Sequence, residues 1–107
     1  MVADSSPSAS RRYFVVTRVR GDAWDHALGL REQDAWDAHA RFMDALVDDG
    51  FVVLGGPLGD GTRTLLIVDA VNERQIEARL SEDPWVSMRL LRLETIEPWQ
   101  VLLAPEP

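Results

Sequence analysis

A chain of 107 residues, 46% hydrophobic and 27% charged, has room for one core and the balance of a globular domain, which excludes a second domain and wholesale disorder. It contains no cysteine, so disulfides, thiolate nucleophiles, iron–sulfur clusters and cysteine-rich zinc sites are excluded. Its net charge of -7 opposes the clustered cationic contacts that phosphates require, so neither nucleic acid nor a membrane surface is an expected partner.

Residues 1–10, MVADSSPSAS, are small and polar and are expected to form an N-terminal tail, with the domain running over 11–103 and a short C-terminal tail over 104–107. The start lacks the basic and apolar regions of an export signal, and no apolar run approaches the roughly 20 residues of a membrane helix. A cytoplasmic location is the expectation. From Arg12 the run RYFVVTRV is rich in β-branched and aromatic residues and predicts a first strand ending at Gly21. Its consecutive apolar residues, Tyr13 to Val16, suggest a strand covered on both faces. GDAWDHALGLREQ then reads as a loop.

The segment EQDAWDAHARFMDALVDDG has helical periodicity: Trp36, His39, Met43, Leu46 and Val47 recur three or four apart, and Gly50 suits the C-terminal cap. FVVLGGPLGDG and TRTLLIVD predict two short strands joined by a tight connection containing Asp60-Gly61. Asn72 is placed to cap a second helix, with Gln75 three residues on and Ile76 and Leu80 as its apolar stripe. Pro84 ends any preceding helix, and MRLLRLETI, extended by EPWQVLL, predicts a fourth strand.

The order β-α-β-β-α-β predicts an α+β fold of ferredoxin-like type, an antiparallel four-stranded sheet with both helices on one face. Strands Tyr13 to Val16, Phe51 to Leu54, Leu65 to Val68 and Leu90 to Leu93 offer apolar residues to both faces. A second copy of the sheet, packed face to face, would cover the surface the helices leave bare, so a homodimer is expected.

Only His26 and His39 serve as general bases near neutral pH without a large pKa shift. His26 falls in the polar loop. His39 falls in the apolar stripe of the first helix, where an imidazole requires a hydrogen-bond partner whether it is structural or functional. Many acids could supply one, and Asp83 stands out because it precedes Pro84, which restricts its backbone. GGPLGDG has no phosphate-loop ending, the histidines and acids have no recognised metal-ligand spacing, and Ser81 and Ser87 lack a nucleophile elbow. Neither metal nor cofactor is expected. Trp24, Trp36, Trp85 and Trp99 suit either core or pocket.

The stretch DAHARFMDALVDDGFVVLGGPLGDG, followed by SEDPW and IEPW, resembles the YCII-related domain family, and the likeness spans about Tyr13 to Leu103. Trp24-Asp25, Leu30 to Gln33 and the closing Ile96 to Trp99 resemble one subgroup of it. The resemblance implies a ferredoxin-like subunit in a dimeric α+β barrel, and a histidine on the first helix paired with an aspartate after the second. His39 and Asp83 match those two positions. An arginine often precedes that histidine in the family, where this chain has Trp36. One branch is a cofactor-free dehydrochlorinase of hydroxylated aromatic rings, which implies proton transfer by His39, oriented by Asp83. The pocket is then expected between the first helix and the sheet, lined by Trp36, with Gly56, Pro57 and Leu58 as a wall and Trp85 as a lid. Two functions compete: a lyase or isomerase acting on a small cyclic or aromatic metabolite, and a non-catalytic dimer that binds a small molecule or a partner and keeps the pair as a buried hydrogen bond.

Overall fold

The computed structural model describes residues 12–105; the predicted tail over 1–10 and the last two residues of that over 104–107 lie outside the described residues. Strand β1 (Tyr13–Arg20) leads through a loop with a single 3-10 turn (Leu30–Glu32) into α1 (Trp36–Asp48) and β2 (Val52–Leu58). Then follow β3 (Arg63–Asp69), α2 (Glu73–Leu80), a short α3 (Pro84–Ser87) and β4 (Leu91–Trp99). The four strands form one antiparallel sheet in the order β2-β3-β1-β4, giving a compact α+β fold with three helices.

Pleat alternation decides which side chains meet. Phe14 and Val16 of β1 stand opposite Val68 and Leu66 of β3, and Val52 of β2 faces Val68. These residues join Leu46 of α1 and Ile76 and Leu80 of α2 in one core, with Phe42, Met43, Leu93 and Ile96 packed around it. Both longer helices therefore bury their stripes on the same side of the sheet. Full burial of a side chain such as Ile76 is worth about 1.5–3 kcal/mol.

On the opposite face Val15 and Val19 of β1 lie beside Leu65 and Ile67 of β3, and Leu54 at the β2 edge is 68% exposed. This face is less uniformly apolar than the strand runs suggest. Thr17 donates to Glu94 at 2.9 Å and lies 2.6 Å from the Thr95 hydroxyl, while Arg63 donates to the same carboxylate at 3.0 Å. A polar band thus crosses the middle of the face, next to a bulge in β4.

Helix boundaries differ from expectation for local reasons. Ala35 is left-handed, with φ 59°, so α1 begins at Trp36 and Glu32 belongs to the 3-10 turn. Gly50, with φ 83°, closes α1 as expected. Pro84 occupies the first turn of α3, where its missing N–H costs nothing, so it starts a helix as well as following one. The fourth strand begins at Leu91 and ends at Trp99, short of the predicted Leu103.

Asn72 caps α2 through a 2.9 Å bond from the Gln75 N–H, and the Gln75 side chain accepts from the Val71 N–H at 2.8 Å. Asn72→Ala should cost about 1 kcal/mol and lower the melting temperature by several degrees in calorimetry.

Candidate active site

In β1 the period of two that buries Phe14 and Val16 also turns Arg18 and Arg20 toward the helix-covered face. Arg18 is only 2% exposed, and a guanidinium so buried requires a counter-charge. Asp83, 0% exposed, supplies it: Arg18 Nη1 donates to Asp83 Oδ2 at 2.8 Å, and Arg18 Nη2 points to the Met43 sulfur at 3.3 Å. Asp83 is fixed by its own backbone. Held extended by the following proline, it caps α3 and accepts the Trp85 N–H on Oδ1 at 2.9 Å.

His39 of α1 completes a three-residue network. Its Nδ1 lies 2.9 Å from each Asp83 oxygen. An ionised carboxylate only accepts, so Nδ1 carries the proton and Nε2 is the basic nitrogen of the neutral ring. The imidazole lies flat on Trp85, centroids 3.9 Å apart and planes 4° from parallel, with Trp36 tilted against both at 5.8 Å. Trp85 is itself anchored, because its indole N–H donates to the Asp34 carbonyl at 2.6 Å and its ring meets Trp24 edge-on. The ring of His39 thus has one orientation with little freedom to leave it.

Burial pushes the Asp83 carboxyl up, but donation by His39, by the Trp85 N–H and by Arg18, together with the Arg18 charge, outweighs it and holds the carboxyl below its usual range. A folded-state value below the unfolded one stabilises the fold above the unfolded value, about pH 3.9, and that stabilisation is lost as pH falls through the folded value. Urea midpoints should therefore stay level from neutrality to about pH 5 and fall below about pH 4, and the acid limb should flatten in Asp83→Asn.

Beside this network lies a cavity of about 340 Å³, within the roughly 300–1,000 Å³ usual for small-molecule sites. Trp36, His39, Trp85, Gly56 and Pro57 all line it. Leu58 does not: it pairs with Arg63 on the other face of the sheet, because a bulge between Val52 and Leu54 reverses the alternation along β2. Trp85 is 0% exposed and forms the wall behind His39, so it is no movable lid. His26 is exposed in the loop, apart from the site.

Among the lining residues, Arg18, Arg20 and Met43 were not anticipated as part of a site, while Trp24, read as core or pocket, lines the cavity. The available signal was the spacing of Phe14, Val16, Arg18 and Arg20, which carries two cations onto the core face of one strand. Gly21 explains how Trp24 arrives there. A Cβ on Gly21 would sit 2.1 Å from the Arg89 carbonyl oxygen, so only glycine lets the loop close on the chain entering β4.

Among the described residues no three His, Cys, Asp or Glu side chains come close enough to hold a metal, and no helix is long and apolar enough to cross a membrane. Comparison of the chain with protein-family models, curated proteins and solved structures gives no match.

Proposed function

We propose that the chain is a YCII-related protein whose ferredoxin-like subunit pairs sheet to sheet in a cytoplasmic homodimer, a dimeric α+β barrel, and acts as a cofactor-independent lyase or isomerase on a small cyclic or aromatic metabolite. The observation that carries this reading is the His39 ring, tied at Nδ1 to a buried carboxylate while the residue lines an aromatic cavity. The strand order β2-β3-β1-β4 and the helices' shared face support the subunit reading. Half-buried Val15, Val19, Leu65 and Ile67 on the face away from the helices support the dimer.

The chemistry is proton transfer. His39 Nε2 accepts a proton from a ring C–H, the C–H electron pair forms a new double bond, and a leaving group such as chloride departs with its own pair. Asp83 stabilises the imidazolium, which then returns its proton to water; in an isomerase no group departs, the C–H pair shifts an existing double bond, and the imidazolium returns the proton to another ring atom.

Incubation in deuterium oxide with a panel of hydroxylated and chlorinated ring compounds tests the reading by proton NMR and chloride release. Deuterium incorporation into one compound class, dependent on His39, is the expected result. Saturable binding with no exchange and no chloride from any compound would instead make the site a non-catalytic ligand-binding module. The assembly is tested by light scattering, where a particle of twice 12.0 kDa is expected, reduced to one subunit by Ile67→Glu.

A further inference from the structure

The cations of the molecule are disposed unequally. Arg63, Arg79 and Arg89 sit at the surface, each within 3.0 Å of a carboxylate oxygen of Glu94, Asp49 and Asp22 respectively. Arg18 is neutralised by Asp83. The guanidinium groups of Arg12, Arg31, Arg41, Arg74 and Arg92 have no carboxylate within hydrogen-bonding distance among the described residues, and neither has that of Arg20, but of these residues Arg20 alone lines the cavity. Asp60, the acid whose charge it feels, accepts the Thr62 N–H and hydroxyl on Oδ1 and makes no hydrogen bond to Arg20.

Arg20 is also held in place. Its guanidinium lies over the Trp24 ring at 4.7 Å, an arrangement that fixes the plane of the fork while leaving its charge available. Its Nε is buried with no acceptor, and so is Arg18 Nε, on the residue two positions back along the same strand face. Both Nε atoms are closed off from a ligand; the Arg20 terminal nitrogens are not buried in this way and make no hydrogen bond among the described residues, so they are the donors the cavity offers. The other charge on the lining is Asp44, which is exposed and screened by water. The rest of the wall is mostly apolar, with Trp24, Trp36 and Trp85 supplying flat aromatic surfaces among aliphatic side chains such as Leu30, Val47 and Val52.

We infer that the cavity takes a planar ring carrying a carboxylate, the carboxylate held by Arg20 and the ring edge facing His39. The inference rests on the cavity being the ligand site and gives the substrate class of the proposed reaction. A carboxylate matches the guanidinium fork with two parallel N–H bonds, and a ring lying against half-buried Trp36 presents its edge to the basic nitrogen. The neutral Arg18–Asp83 pair leaves Arg20 as the charge that selects the ligand.

Calorimetric titration of the full chain with benzoate, salicylate, benzamide and cyclohexylamine tests this, with the His39 imidazole signals followed by NMR. The expected result is saturable binding of benzoate and salicylate that shifts His39, with benzamide about tenfold or more weaker and the amine silent. Arg20→Gln should bring benzoate and benzamide to parity, and Arg20→Lys should restore part of the preference; thermal melts identify variants that retain the fold. Equal affinity for benzoate and benzamide in the unmodified protein, no binding of either, or shifts confined to the sheet face bearing Val15 and Ile67 would each overturn the inference. His39→Gln separates it from the proton-transfer reading: the carboxylate preference should survive there within about threefold while exchange chemistry is lost.

Discussion

Asp83→Ala should destabilise the domain by about 3–5 kcal/mol, the largest loss expected at any position in the site, because it strands a buried charge. Arg18 is 2% exposed and depends on the Asp83 carboxylate, and the same carboxylate accepts from His39 and from the Trp85 N–H. Removing it leaves one cation and two donors without partners in a dry interior. The cause is separable from the loss of helix capping by a double-mutant cycle. Arg18→Met combined with Asp83→Asn should recover most of what Asp83→Asn alone loses, since the stranded charge has gone. Urea midpoints for the four proteins give the coupling directly, and a coupling near zero would mean that Arg18 finds its compensation elsewhere. The cycle also bears on function. Asp83 carries structural charge as well as orienting His39, so activity lost in an Asp83 variant cannot by itself be assigned to chemistry.

His39→Gln is the cleaner probe, and it should reduce proton exchange by about 10²–10⁴-fold while leaving the fold within about 1 kcal/mol. A glutamine amide can still donate to Asp83, so the carboxylate keeps three donors and Arg18 keeps its counter-charge. What disappears is the basic nitrogen on the far side of the ring. If the variant kept its exchange rate with an unchanged melting temperature, the base would have to be another group.

Much of the fold was legible because its signals are local. Periodicity located α1, Asn72 and Gln75 located the start of α2, and turn residues separated β2 from β3. His39 was legible as a titratable group in an apolar stripe, and Asp83 as an acid fixed before a proline. Arg18 was passed over because an arginine in a strand usually sits at the surface; only its parity with Phe14 and Val16 shows that it faces inward. Leu58 was misplaced for a related reason. One extra residue in β2 shifts parity, and a bulge is set by the pairing of β2 with β3, which no local pattern in Val52 to Leu58 reveals. The polar band of Thr17, Glu94, Thr95 and Arg63 arises likewise from three strands meeting in register.

The proposed chemistry requires Asp83 to hold His39 with its proton on Nδ1, leaving Nε2 as a base for a ligand in the cavity. Nitrogen-15 NMR of the imidazole tests it directly. The neutral ring should show a protonated, hydrogen-bonded Nδ1 and an unprotonated Nε2 whose shift moves on titration with salicylate. A ring protonated on Nε2 in its neutral form, or an Nε2 signal indifferent to every ring compound tried, would contradict it.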